Sequence, residues 1–349
     1  MLKIKKELFG VLSSGEKVYL FVLQAGDIKL CISEYGAAWT SLFLPDLCGN
    51  IDDIILGYST LQAYTQKNPF FGATIGRYAN RIGGSSFVID GIKYKVTNNE
   101  GNNCLHSGLH GFDKKLWRGI AYKNGDAVCA QFTYESPDGE EGFPGVLNAA
   151  VTYSVTQSNQ IIADYKASVS KKSPINLTNH AYYNLSGQGR GTILDHKIKL
   201  YASRYVPVDS SQIPCGNLQN VKDTQFDFTE QKEISFFKNW GANYDHCLVV
   251  DGEIGTLRPA AEVLDTLSGR FMKVSTTQPG LQFFTSGGMP EISGKDGSVY
   301  GRHSGFCLET QNFPDAPNKE NFPNSIFGDG KDYSEKSVFS FGLSRLCKC

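Results

Sequence analysis

The sequence predicts an all-β protein, a sandwich of antiparallel sheets with few short helices, and three observations carry that expectation. Short segments alternate apolar and polar residues with a period of two from end to end. Glycine is frequent, 37 residues against 3 methionines, which favours many turns over long helices. Helical periodicity is confined to short pieces such as 59–66.

Taken in order, the elements read as follows. Ile28, Leu30 and Ile32 alternate with Lys29, Cys31 and Ser33, so one face of that strand is expected to be buried. Residues 87–89 and 92–96 flank Asp90-Gly91, a pair that accepts the positive φ angles of a type I′ hairpin turn. Val151, Tyr153 and Val155 alternate with Thr152, Ser154 and Thr156, and a further strand over 161–169 follows Ser158-Asn159. Ile198 and Leu200 alternate with lysines, and Met272 and Val274 alternate with Phe271 and Lys273. A strand over 305–311 would turn Phe306 and Leu308 one way and Cys307 and Glu309 the other. Many short strands joined by regular turns point to a sandwich or barrel.

Composition narrows the function classes. The 349 residues carry 40% hydrophobic and 20% charged side chains, and 34 basic against 35 acidic residues leave a formal charge of −1. That balance gives no reason to expect a nucleic-acid or membrane partner. The longest N-terminal apolar run, 18–23, is too short for a signal-peptide core or a bilayer span. Nine cysteines without a CxxC pair are expected to be reduced, mostly buried thiols of a cytoplasmic protein. Cys347 and Cys349 at the end lack nearby partners for a metal. No linker divides the chain, so residues 1–349 are expected to form one domain. The Pro/Gly/Asn-rich stretches 98–110, 136–145 and 311–324 also carry aromatic, charged and histidine residues, which suits ordered loops around a site.

None of the six histidines stands in a spacing that puts two metal ligands on one helical face, and metal ligation is not expected. There is no GxSxG, no Walker loop and no dinucleotide fingerprint after a strand. Four polar segments stand out instead. NPFFGATIGRYANRIGG holds Asn80 and Arg81, and a guanidinium offers a planar fork of donors suited to adjacent sugar hydroxyls. An arginine that only ties a loop to a carboxylate fits equally well. NNEGNNCLHSGLHGFDKKLW holds His106, His110 and Trp117. SPINLTNHAYYNLSG sets His180 beside Tyr182 and Tyr183, and aromatic rings next to polar groups suit the apolar C–H faces of a sugar. In RHSGFCLETQNFPDAPN, Glu309 projects from an apolar strand, where a carboxylate is either paired or functional. Asp245, in NYDHCLVV, is a similar lone acid entering an apolar strand, or simply a turn former.

Together these segments resemble the aldose 1-epimerase family. LGYSTLQAY, GATIGRYANRI, NNCLHSGLHGFDKKLW, SPDGEEGFPG, NLTNHAYYNLSG, YDHCLVV, TQPGLQFFTS and LETQNFPDAPN look like family motifs, in order, over most of the chain. The resemblance implies a β-supersandwich of antiparallel sheets of the galactose mutarotase-like kind. It implies His180 as general acid and Glu309 as general base. Asn80 and Arg81 match a substrate-binding pair, and His106, Tyr182, Asp245 and Gln282 match further sugar contacts, with Gln278 an alternative to Gln282. The substrate would be a small-molecule sugar such as galactose or glucose, used without a cofactor by a monomer or weak homodimer.

The implied reaction opens the hemiacetal ring, rotates the C1 aldehyde and closes on its other face. Glu309, with an ordinary carboxyl pKa of ~4.3, would take the C1 hydroxyl proton. His180, at ~6.5 or shifted slightly upward by an acid such as Asp245, would protonate the ring oxygen. Three alternatives stay open at this point. The first is a sugar-binding or regulatory module on the same scaffold, and the second a glycoside hydrolase using Glu309 and Asp245. The third is a hexose-6-phosphate epimerase whose cations would be Lys114, Lys115 and Arg118.

Overall fold

The computed structural model describes residues 2–66, 68–239 and 243–344, and in these the regular structure is almost wholly antiparallel strand. The only α-helix among the described residues is Leu61–Thr65, capped at its start by Thr60 and shorter at both ends than the periodicity of 59–66 predicts. No helix among them is long and apolar enough to cross a membrane.

Local sequence explains most elements. Asp90 and Gly91 take φ angles of 50° and 78°, and the hairpin they close pairs Ser86–Ile89 with Ile92–Lys95. Val151, Tyr153 and Val155 are fully buried on Leu147–Thr156, as the alternation predicts. The predicted 161–169 strand is Gln160–Val169, and Met272 and Val274 are buried on Arg270–Thr276. Ile28–Ser33 departs from the simple pattern. Ile28, Leu30 and Ile32 are buried, but Cys31 and Ser33 on the other face are covered too.

Among the described residues one nine-stranded sheet and two five-stranded sheets dominate. Lys3–Val11, Lys17–Ala25, Ile28–Ser33, Ala38–Pro45 and Ile51–Asp53 form the first five-stranded sheet as a simple meander. The nine-stranded sheet is interleaved: Gln160–Val169 pairs with Tyr333–Leu343, which pairs in turn with Arg270–Thr276. Its apolar face and that of the first sheet share one core. Trp39 packs edge-on against Tyr153 at 5.2 Å and Phe339 at 5.5 Å, which joins three segments far apart in the chain.

The second five-stranded sheet positions the site. Asp245–Val249, Gly280–Phe284 and Cys307–Gln311 lie side by side, with Asp245 opposite Phe284 and Phe284 opposite Cys307. The next row on the same face is Cys247, Gln282 and Glu309. The opposite face carries Leu248, Leu281, Phe283 and Leu308 into the main core. Polar groups therefore collect on one face while the apolar face anchors the strands.

The thiols Cys31, Cys104, Cys129, Cys247 and Cys307 are free and buried, and Cys215 is free and exposed. Cys48 departs from the expectation of reduced cysteines, being disulfide-bonded. Cys347 and Cys349 lie outside the described residues.

Candidate active site

One polar face, two short ladders and a loop converge on a cleft of about 180 Å³. Thr178–Asn179 pairs with Thr74–Ile75 and delivers His180 at its end. Arg81–Ile82 pairs with Cys104–Leu105, which brings Asn80 and Arg81 against His106. Asn80, Arg81, His106, His180, Tyr182, Asp245 and Glu309 all line the cleft. Gln282 lies just behind that lining, where its Nε2 donates to Asp245 Oδ1 at 2.7 Å. Gln278 is elsewhere, bonded through Nε2 to the Tyr333 hydroxyl at 2.6 Å. Asn80 and His106 take positive φ angles of 66° and 50°, and such left-handed non-glycine residues persist where surrounding contacts hold them.

The centre of the cleft is an acid–imidazole pair. His180 Nε2 is 3.6 Å from Glu309 Oε1, and both side chains are nearly excluded from solvent. The imidazole stacks against Tyr182 at 5.0 Å and Phe70 at 5.7 Å, while the Tyr182 hydroxyl is tied to the Pro69 carbonyl. Among the described residues, Glu309 Oε2 is buried without a hydrogen-bond partner, as is Gln282 Oε1. A buried carboxyl oxygen in that condition is costly unless a ligand completes it.

Burial corrects the expected protonation states. It pushes His180 down to about 4, against a smaller upward pull from a hydrogen bond to its own backbone. The upward shift expected from a neighbouring acid is absent because loss of hydration dominates. Asp245 acts on Glu309 instead: burial first, then the Asp245 charge, raises that carboxyl well above its ordinary value, while Arg81 opposes them. The free site therefore favours one proton on Glu309 and a neutral His180. The pair, rather than either group, is the unit that titrates.

Arg81 makes the carboxylate tie that the sequence leaves open as one of two readings. Its Nε and Nη2 grip Glu100 in a fork, at 2.6 and 2.8 Å, leaving Nη1 4.0 Å from Asp245 Oδ2. Glu100 carries no local signal in the sequence, because its partner is 19 residues away. Phe70, Leu105 and Phe284 also line the cleft. They read from sequence as ordinary apolar residues.

His106, His180 and Glu309 bring ligand-type atoms within 4.8 Å of one another, a set whose composition suits a cation. The tautomer of His106 argues against one. The Asn80 N–H donates to His106 Nδ1 at 3.1 Å, so the ring proton sits on Nε2 and neither nitrogen is free to coordinate. His106 Nε2–H is instead a donor for an oxygen in the cleft.

Antiparallel sheets of this topology, carrying an imidazole and a carboxyl on one sugar-sized cleft, define a class of protein, and comparison with known proteins identifies it. The family model for aldose 1-epimerase matches residues 19–340. The chain belongs to the aldose 1-epimerase family. Galactose mutarotase of Sus scrofa is 40% identical over 350 residues, covering 99% of this chain and all of the relative. Aldose 1-epimerase of Escherichia coli K12 is 34% identical over 318 residues, covering 89% of this chain and 91% of the relative. The crystal structure of an aldose epimerase homologue from C. elegans superposes with a TM-score of 0.85 at 26% identity, over 99% of this chain and 100% of that one.

Proposed function

We propose that this aldose 1-epimerase interconverts the α and β anomers of free hexoses such as galactose and glucose, with Glu309 and His180 as its acid–base pair. The observation that carries the reading is the buried 3.6 Å approach of His180 Nε2 to Glu309 Oε1 within the cleft. Ring opening needs a proton taken from the C1 hydroxyl and one given to the ring oxygen, and this pair holds both functions within reach of one small ligand. Glu309 accepts the C1 hydroxyl proton, the C1–ring oxygen bond breaks, and His180 Nε2 delivers a proton to the released oxygen. Rotation about C1–C2 and reversal of the two transfers close the ring on the other face. A sugar hydroxyl donating to the orphan Glu309 Oε2 favours the carboxylate and moves the shared proton toward His180.

The remaining contacts orient the sugar. His106 Nε2–H and Arg81 Nη1 donate to its oxygens and steady charge developing on the ring oxygen. Asp245, held by Gln282, accepts from hydroxyls. Tyr182 and Phe70 offer ring faces to its C–H surface. The steps use side chains alone, and the whole chain works as one domain whose core joins all three large sheets.

The protonation states give a pH prediction. As pH falls through about 4, His180 takes a second proton onto the pair and no base remains. The acid limb of kcat/KM is therefore expected near pH 4. A limb centred near 6.5 would show that the imidazole titrates as an exposed histidine and that burial does not control the pair.

A neutral sugar is favoured over its 6-phosphate. Glu100 and Asp245 flank Arg81, while Lys114 pairs with Asp113 and Lys115 with Glu140, so these cations are matched by carboxylates. Polarimetry of freshly dissolved α-D-galactose, α-D-glucose and glucose 6-phosphate at fixed ionic strength tests both parts. The expected result is accelerated relaxation of the neutral sugars and kcat/KM at least tenfold lower for the phosphate. Preference for the phosphate would overturn the substrate assignment, and no acceleration of any sugar would overturn the catalytic one.

A further inference from the structure

The strand that carries Glu309 gives His180 a second neighbour. Cys307 stands two residues earlier on Cys307–Gln311, so its side chain leaves the same face. Its Sγ is 3.5 Å from His180 Nδ1, while Glu309 Oε1 is 3.6 Å from Nε2. One strand thus brackets one imidazole, with a thiol at one nitrogen and a carboxyl at the other. Cys307 is fully buried, and burial holds its thiol well above its ordinary range, so it is a neutral S–H group rather than a nucleophile.

We propose that Cys307 is a positioning residue for the anomer interconversion: its sulfur receives the Nδ1–H of His180 and so keeps Nε2 as the nitrogen that exchanges the proton. The proposal rests on the reading of His180 and Glu309 as the acid–base pair. On ring opening Nε2 gives a proton, and on closure it takes one back. Nδ1 must then keep its own proton throughout, held by the ring's hydrogen bond to its own backbone and by a side-chain acceptor beside it. Tyr182, Phe70 and His106 pack against the ring at 5.0, 5.7 and 5.4 Å and fix its plane, but ring packing does not select a tautomer. Sulfur at Nδ1 does. A carboxylate there would hold the same tautomer while stabilising the imidazolium, whereas a thiol orients the ring without adding charge to the cleft.

The test uses Cys307→Val, Cys307→Ala and Cys307→Ser in the full chain. Valine and alanine remove the acceptor with and without retained bulk, and serine restores one. The two readouts are anomerisation kinetics and the imidazole ¹⁵N shifts of histidine-labelled protein, with His180 assigned by its loss in His180→Asn. The wild type and Cys307→Ser are expected to hold the Nδ1–H tautomer. Whichever apolar variants fold should lose it and show kcat lowered roughly ten- to a hundredfold with KM little changed. An unchanged tautomer in a folded apolar variant would overturn the proposal, as would a wild type whose neutral His180 carries its proton on Nε2. The tautomer is read without turnover, so a wild-type protein inactive on every sugar would sink the catalytic assignment while leaving this readout to stand or fall alone.

Discussion

Glu309→Gln is expected to lower kcat for anomer interconversion by roughly 10²–10⁴-fold, the usual worth of a positioned acid–base group, with KM changed only a few-fold. Glutamine keeps the shape and can still meet a sugar hydroxyl, but it cannot take the C1 proton. The fold should tolerate it well. Glu309 is 2% exposed with Oε2 lacking a partner among the described residues, so an uncharged amide relieves part of the cost of burying a carboxyl. Urea melts should therefore match or exceed the wild type, which separates lost chemistry from lost structure. A folded variant with near wild-type kcat would mean that another group takes the proton.

His180→Asn is expected to reduce kcat by a similar roughly 10²–10⁴-fold, through loss of the proton delivered to the ring oxygen. Its structural consequences differ. The imidazole stacks on Tyr182 and Phe70 and meets Cys307, so the smaller side chain leaves a gap in a packed aromatic cluster and the melt should move down. The double variant should be little slower than either single one, because both groups act on one ring-opening event and their losses do not add. Multiplying losses in the double variant would show that the two residues serve independent steps.

The sequence and the structure agree where the physics is local. Asp90-Gly91 marks its turn because only a few residues accept paired positive φ angles, and Glu309 can be placed on a polar face because strands alternate with period two. The ordered family motifs bring in His180, Arg81 and the other polar residues that the cleft assembles. Contacts between strands are where local reading stops. Gln282 supports Asp245 across 37 residues, and Cys307 reaches His180 across 127, because sheet order makes them neighbours. Cys307 by itself reads as one more apolar thiol. Protonation states are less legible still. A histidine beside acids is expected to shift upward, yet the depth of burial, set by the whole sandwich, drives His180 down to about 4. For Arg81 the sequence leaves a sugar-facing fork and a tie to a carboxylate equally open, and only the fold brings Glu100 onto it.

The central claim is that the cleft opens and recloses a sugar ring rather than only holding it. Two-dimensional ¹H exchange spectroscopy on galactose at anomeric equilibrium, with a catalytic amount of protein, tests this most directly. Cross-peaks between the α and β H1 signals are expected to appear with the wild type and to vanish with Glu309→Gln. Sugar signals broadened by binding, with no α-to-β exchange above the protein-free rate, would contradict the account and leave a binding protein on an epimerase scaffold.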